Sequence, residues 1–517
     1  MLKRILVITV MMFILFIGIT IEKEPGTNKE KRQEKAYITY GTTENPDNLQ
    51  LTESLEDESN ELLSAFFSGL ITEGSGGDII PVLCDSYEVS EDGLQYTFHM
   101  KDNIYYSNGD KITASDYKMF LERFIADDNN KYRRDLFCIY GSEAFASGDI
   151  DFNGVAVNSD DDKTLVIRLN HIYPEFLSIM ASPVMSLRDY GSLNNYKDIY
   201  ETIRYTGPFI IENVDQGNLY ISKNMKYEGS SMVTDEIIKI GFYDSGERAL
   251  SFFENNDKDN GVMVDIIKNP PVNEIQELSS QGKIEYFDKD EKYYLVFNTI
   301  NCPENFRRNV ALNLEREEYG VRTEENIVSG LESYSFGFGT QAVFSRLEYG
   351  QVEDEVKTQW QGKSLSILYK RGTLNRYIAK AVGEDIKKAF DVEVNLIECT
   401  EDNISDMEGS KDCNMVIQNY SGKYGYEGEY LEAFVNGAED NILGYNNGEY
   451  NQYMFNAARA GGEDRRLLLE KSEDILCHDM AAIPLCSVKT SVCISDRTQG
   501  VKCDSRGNMI FNSIKLK

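Results

Sequence analysis

At 517 residues the chain is longer than one hydrophobic core usually serves, so two or three domains are expected. A hydrophobic content of 41%, with 32 tyrosines and 25 phenylalanines, excludes a disordered polymer. With 86 acidic against 53 basic residues the formal charge is −33, which argues against a nucleic-acid partner, because phosphate backbones are held by clustered Lys and Arg.

The nine cysteines are scattered and none has C-x-x-C spacing, while His99, His171 and His478 lie far apart. Neither pattern assembles the close ligands of a zinc, nickel or haem site, and no cofactor is expected. An odd count rules out complete pairing. Buried free thiols are expected, with room for one disulfide among Cys477, Cys486, Cys493 and Cys503.

Met1-Leu2-Lys3-Arg4 is a basic start, Ile5 to Ile21 carries no charge, and Glu22-Lys23-Glu24-Pro25-Gly26 ends the run. Residues 1–21 read as an export signal or an uncleaved anchor helix, and 22–35 as a polar tether. No Ala-x-Ala-like site follows. The basic residues place the N-terminus in the cytoplasm and the body outside the membrane.

Beyond the tether, Ala36 to Tyr40 reads as a strand, and Leu62, Leu63, Phe66, Phe67 and Leu70 fall on one face of a helix over Glu58–Leu70. Gly74-Ser75-Gly76-Gly77-Asp78 lacks the Gly-Lys-Ser/Thr ending of a phosphate cradle and reads as a turn. Pro81 to Met100 alternates on both sides of Asp92-Gly93, a hairpin signal. Thr113 suits the N-cap of the helix that follows. Asn158-Ser159-Asp160-Asp161-Asp162 lacks the Gly and Glu of a calcium loop and reads as a turn before a strand over Thr164–Leu169. Ser364–Tyr369, a helix over Leu374–Phe390 and Val392–Leu396 form a β-α-β unit whose crossover implies parallel strands. A strand over Met415–Ile417 runs into aromatic and small residues, and a helix over Glu429–Val435 leaves them. Irregular backbone at such a strand end is where open α/β sheets present groups to a ligand. Helices over Tyr450–Ala458 and Arg465–Met480 precede Ile483-Pro484-Leu485.

Several of these stretches together resemble one family. Pro81, Leu83, Ser86, Tyr87, Ser90, Asp92, Gly93, Tyr96, Thr97, Phe98, Ser107, Asn108, Gly109, Thr113, Ala114 and Asp116 stand at matching positions, with Cys84 where the family has Ala. So do Tyr205-Thr206-Gly207-Pro208-Phe209, Lys223-Asn224-Met225-Lys226-Tyr227 and Tyr293-Tyr294-Leu295-Val296-Phe297-Asn298-Thr299. The chain from about residue 36 to 517 is similar to the extracellular solute-binding proteins, family 5, the oligopeptide, dipeptide and nickel receptors of ABC transporters.

That resemblance implies an α/β protein of the periplasmic-binding-protein type II fold, two lobes with an inserted subdomain in the first lobe. The implied division is 36–82 for the start of lobe I, 83–200 for the insert, 201–292 for the second part of lobe I, 293–486 for lobe II and 487–517 for the return to lobe I. The two crossings fall near Glu291–Phe297 and Pro484–Lys489. It further implies a monomer that is no enzyme, a peptide or peptide-like solute as ligand, ABC permease subunits as partners, and a place outside the membrane. A surface receptor that signals or adheres without transport is the alternative reading. No G-x-S-x-G, H-E-x-x-H or Cys–His arrangement points to catalysis.

The segment Val416–Leu431 resembles the family's ligand loop. Aligned without gaps on Tyr430-Leu431, Tyr420 stands at the loop's Trp, Gly422 at its Ala and Tyr424 at its Tyr. Lys423 stands at the Asp that holds the ligand's α-amino group in peptide-binding members. An ammonium there would repel an amine, so either the ligand presents an anionic group or another acid, such as Glu427, takes the amine. The ligand-binding candidates are Asn419, Tyr420, Ser421, Gly422 and Lys423, with Tyr294 and Tyr132 as aromatic walls.

Overall fold

The computed structural model describes residues 37–517 apart from 47, 51–56, 75–77, 255–262, 316–330, 334–351, 401–403, 405–409, 423, 425–427 and 439. The apolar run, the tether, Lys423, Tyr426, Glu427 and the middle of the Gly74–Asp78 turn lie outside the described residues. Among the described residues no helix is long and apolar enough to cross a membrane.

Two strands organise the rest. Ile284–Phe297 has 14 residues and Ala482–Ile494 has 13, and they pair antiparallel along almost their whole length. At roughly 3.3 Å per residue each spans about 45 Å, enough to serve two cores in succession. Tyr293–Phe297 and Ala482–Cys486 are buried in one core with the strands Ser364–Lys370 and Met415–Ser421. At the other end Val492 joins a second core with Ile38, Tyr40 and Ile266. Between the two, Ser487, Val488 and Lys489 are only half-buried, and the facing strand carries Asp288, Lys289, Glu291 and Lys292. Its register slips there, between Asp288 and Glu291. A bulge bends and twists the strand that carries it. The crossings expected at Glu291–Phe297 and Pro484–Lys489 fall on these two strands. Their polar step lies at Asp288–Lys292 and Ser487–Lys489, because the neighbouring apolar residues are committed to the second-lobe core.

One sheet therefore runs through both lobes. Its order is Glu393–Cys399, Ser364–Lys370, Met415–Ser421, Ile284–Phe297, Ala482–Ile494, Ile266–Lys268, Tyr37–Thr42, Ile237–Phe242, Asn218–Lys223 and Phe209–Asp215. The predicted β-α-β unit is present. Ser364–Lys370 and Glu393–Cys399 are parallel, joined by the helix Thr373–Phe390.

The insert builds its own core beneath the antiparallel strands Cys84–Val89, Gln95–Met100, Val157–Asn158 and Thr164–Arg168. The predicted hairpin turns at Gly93, with φ +67°. Thr113 caps the helix Ala114–Ala126 as expected. Its hydroxyl accepts from the Asp116 N–H at 3.3 Å, and the Asp116 carboxylate accepts from the Thr113 N–H at 2.8 Å.

One expectation is corrected. All nine cysteines are free, eight of them buried and Cys503 half-buried. Cys486 and Cys493 share one strand and are separated by roughly 20 Å, far beyond disulfide reach. Burial pushes the Cys84 thiol up to about 11 and those of Cys138, Cys302, Cys486, Cys493 and Cys503 up to about 12.

Candidate functional site

A cavity of about 580 Å³ opens where the parallel strands Tyr37–Thr42 and Ile266–Lys268 end. The carboxyl ends of parallel strands are where open α/β sheets receive ligands. The first lobe lines it with Thr42, Glu44, Glu247, Lys268 and Asn269, and the second lobe contributes Tyr377 from the helix Thr373–Phe390. Asn269 turns the chain with a left-handed φ of +49°, and its N–H donates to the Ser491 carbonyl at 2.7 Å. Lys268 is buried, and its ammonium donates to Glu61 at 2.7 Å. Glu247 is exposed. Hydrogen bonds from its own backbone N–H and from the Ser245 hydroxyl hold its carboxyl below the usual range.

The segment expected to be a ligand loop starts later than its sequence suggests. The strand does not stop at Ile417 but continues through Ser421, with Gln418–Ser421 paired to Tyr294–Glu291. The long partner strand offers unpaired backbone groups there, and pairing satisfies them. Asn419 is exposed, and its amide donates to Glu291 at 3.5 Å. Glu291 also accepts from the Tyr293 hydroxyl at 3.1 Å and pairs with Lys289 at 2.9 Å, so Asn419 joins the polar step between the lobes. Tyr420 is half-buried and meets Tyr430 edge-on, with ring centroids 6.5 Å apart. Tyr294 is 2% exposed and stacks behind Tyr430 at 6.5 Å. It is a core residue of the second lobe that backs Tyr420 through Tyr430. Gly422 is half-buried at the strand's end. Tyr132 lies in the core of the insert.

Tyr424 has no assigned role in the sequence, and the structure gives it one. It belongs to the second lobe, yet its side chain is buried in the insert's core. Its hydroxyl donates to Asp135 at 2.5 Å, with Tyr132 and Tyr173 close by. Its N–H donates to Glu429 at 3.0 Å, and its carbonyl accepts from Arg506 at 3.3 Å. Burial and the Asp135 carboxylate push the phenol well above its usual range. Nearby, Arg465 of the second lobe forms an ion pair with Glu175 of the insert, both nearly buried. Burial raises the Glu175 carboxyl, and Arg465 draws it back only in part. No periodicity marks Tyr424 or Glu175, since both act across a boundary some 290 residues wide in sequence.

A sheet shared by two lobes, a subdomain inserted in the first and a cavity walled by both define the two-lobed periplasmic-binding-protein type II fold. Residues 78–321 match the family model described as bacterial extracellular solute-binding proteins, family 5, middle. The chain is 24% identical to the oligopeptide-binding protein OppA of Bacillus subtilis over 550 aligned residues, covering 100% of each. It is 23% identical to the dipeptide-binding protein DppE of the same organism over 505, covering 91% of this chain and 90% of that one. The solved Escherichia coli murein tripeptide binding protein MppA superposes with a TM-score of 0.70 at 18% identity, over 93% of this chain and 99% of that one. By this match and these relatives the chain is similar to the bacterial extracellular solute-binding proteins, family 5.

Proposed function

We propose that this protein captures a peptide or peptide-like solute between its lobes on the outer face of the membrane and passes it to the permease of an ABC importer. The observation that carries the reading is the cavity with first-lobe walls and a second-lobe tyrosine, beside strands that continue from one lobe into the other. Such strands allow hinge closure, and a solute drives closure only by binding the closed state more tightly. The peptide-binding relatives support the class of solute. On this reading lobe I is 36–82, 201–292 and 487–517, the insert is 83–200 and lobe II is 293–486, with the hinge at Asp288–Lys292 and Ser487–Lys489.

From the resemblance, the segment Asn419 to Lys423 of lobe II, whose described residues do not line that cavity, is a further ligand contact, with Tyr420 giving apolar area and a polar tip. Lys423 disfavours a free α-amino group and favours an anionic one. Lys423→Asp is expected to shift preference toward amine-bearing peptides over their N-acetylated forms by about tenfold, as read by calorimetric titration of matched peptides. An unchanged preference would remove Lys423 from the site.

A further inference from the structure

We infer that Tyr424, Asp135, Glu175 and Arg465 form a clasp that holds the second lobe to the inserted subdomain, a third connection between the lobes besides the two long strands. The Tyr424 ring crosses from one lobe into the core of the other and is 3% exposed there. Its hydroxyl ends on a carboxylate and its carbonyl on Arg506, which also pairs with Glu73 at 3.6 Å. Arg506 sits in a turn held close against the crossing strands, since a Cβ at Gly507 would collide with the Thr490 hydroxyl and lie 3.1 Å from the Lys289 side chain. The Glu175–Arg465 pair closes the same face from the helix Gly462–His478.

The physical consequence is a restraint on movement about the hinge. Parting the lobes on this face would return a buried aromatic ring to water and strip a carboxylate of its phenol donor, both unfavourable. On the cavity face Tyr377 and the first-lobe residues stand apart across open volume. Movement of the lobes about the two long strands therefore has to break the clasp first.

The inference rests on the two-lobe fold and not on the identity of the solute, so failure to bind peptides leaves it standing. Its test is single-molecule energy transfer between dyes placed through unnatural amino acids at Asp149 of the insert and Asp474 of the second lobe, without added peptide. The unaltered protein should give one narrow short-distance population. Tyr424→Phe and Asp135→Ala should each raise the long-distance fraction roughly tenfold, the cost of a hydrogen bond to a charged acceptor. The double variant should be no worse than either, because both remove the same bond. Tyr424→Ala should exceed them. Circular dichroism separates this from unfolding, and Glu175→Gln, which touches the other arm, should broaden the distribution in a folded protein. A broad distribution in the unaltered protein, or folded variants with an unchanged one, overturns the clasp.

Discussion

Glu61→Ala is expected to cost about 3–5 kcal/mol of stability, because it removes a buried carboxylate that holds a buried lysine ammonium. Glu61 is 1% exposed and satisfies three donors from distant parts of the chain: the Tyr40 hydroxyl at 2.9 Å, the Lys268 ammonium at 2.7 Å and the Met509 N–H at 2.9 Å. It thus ties the first strand, the strand leading to the cavity and the C-terminal return into one lobe. The effect is read as a drop in the urea midpoint. A paired substitution, Glu61→Met with Lys268→Met, removes both charges and should cost clearly less than Glu61→Ala alone. If Glu61→Ala were as stable as the unaltered protein, the pair would not be organising the lobe.

Gly207→Ala is expected to cost about 3 kcal/mol, at the upper end for an added methyl. A Cβ at Gly207 would lie 2.6 Å from both the Phe66 carbonyl carbon and the Phe67 nitrogen, and 2.9 Å from the Ala65 oxygen. These are backbone atoms at the end of the helix Asp57–Phe66 and cannot rotate away. Shifting them would break the Gly207 N–H to Phe66 carbonyl bond at 2.8 Å. It would also loosen Thr206, whose hydroxyl accepts from the Ser68 N–H and donates to the Leu187 carbonyl, both at 2.9 Å. Gly448 is the control, because a methyl added there would meet nothing within 4 Å and its φ is ordinary. Gly448→Ala should be near neutral. Equal midpoints for the two alanine variants would refute the close-approach argument.

What is legible in the sequence is mostly local. Thr113 and Asp116 are three residues apart and read as a cap because their bonds close within one turn. The hairpin around Gly93 and the crossover helix Thr373–Phe390 are readable for the same reason, since turn chemistry and period act over a few residues. Tyr205-Thr206-Gly207-Pro208-Phe209 is recognisable as a motif, but its reason, contact with a helix end about 140 residues earlier, is not. The extension of the strand to Ser421 depends on a partner about 130 residues away, which no local pattern announces. Tyr294 has the sequence setting of a cleft wall, whereas the stacking of Tyr430 encloses it. Tyr424 and Asp135 are 289 positions apart and meet only through the assembled lobes.

The cavity chemistry is the least legible part. Glu44 and Asn269 lie in short connections without periodicity, Glu247 stands in the first turn of the helix Gly246–Glu254, and Lys268 reads as one more surface lysine until its partner Glu61 is seen. Function is read instead from the resemblance, and the cavity draws its walls from residues far apart in sequence.

The most direct measurement of the central claim is mass spectrometry of what the folded protein retains from a defined mixture of short peptides. After washing, the bound fraction is released by unfolding in acid. Capture between two lobes predicts a peptide recovered at the mass at which it was supplied, in a ratio near one per chain. Recovery of no peptide at all, or of shortened ones, would contradict it.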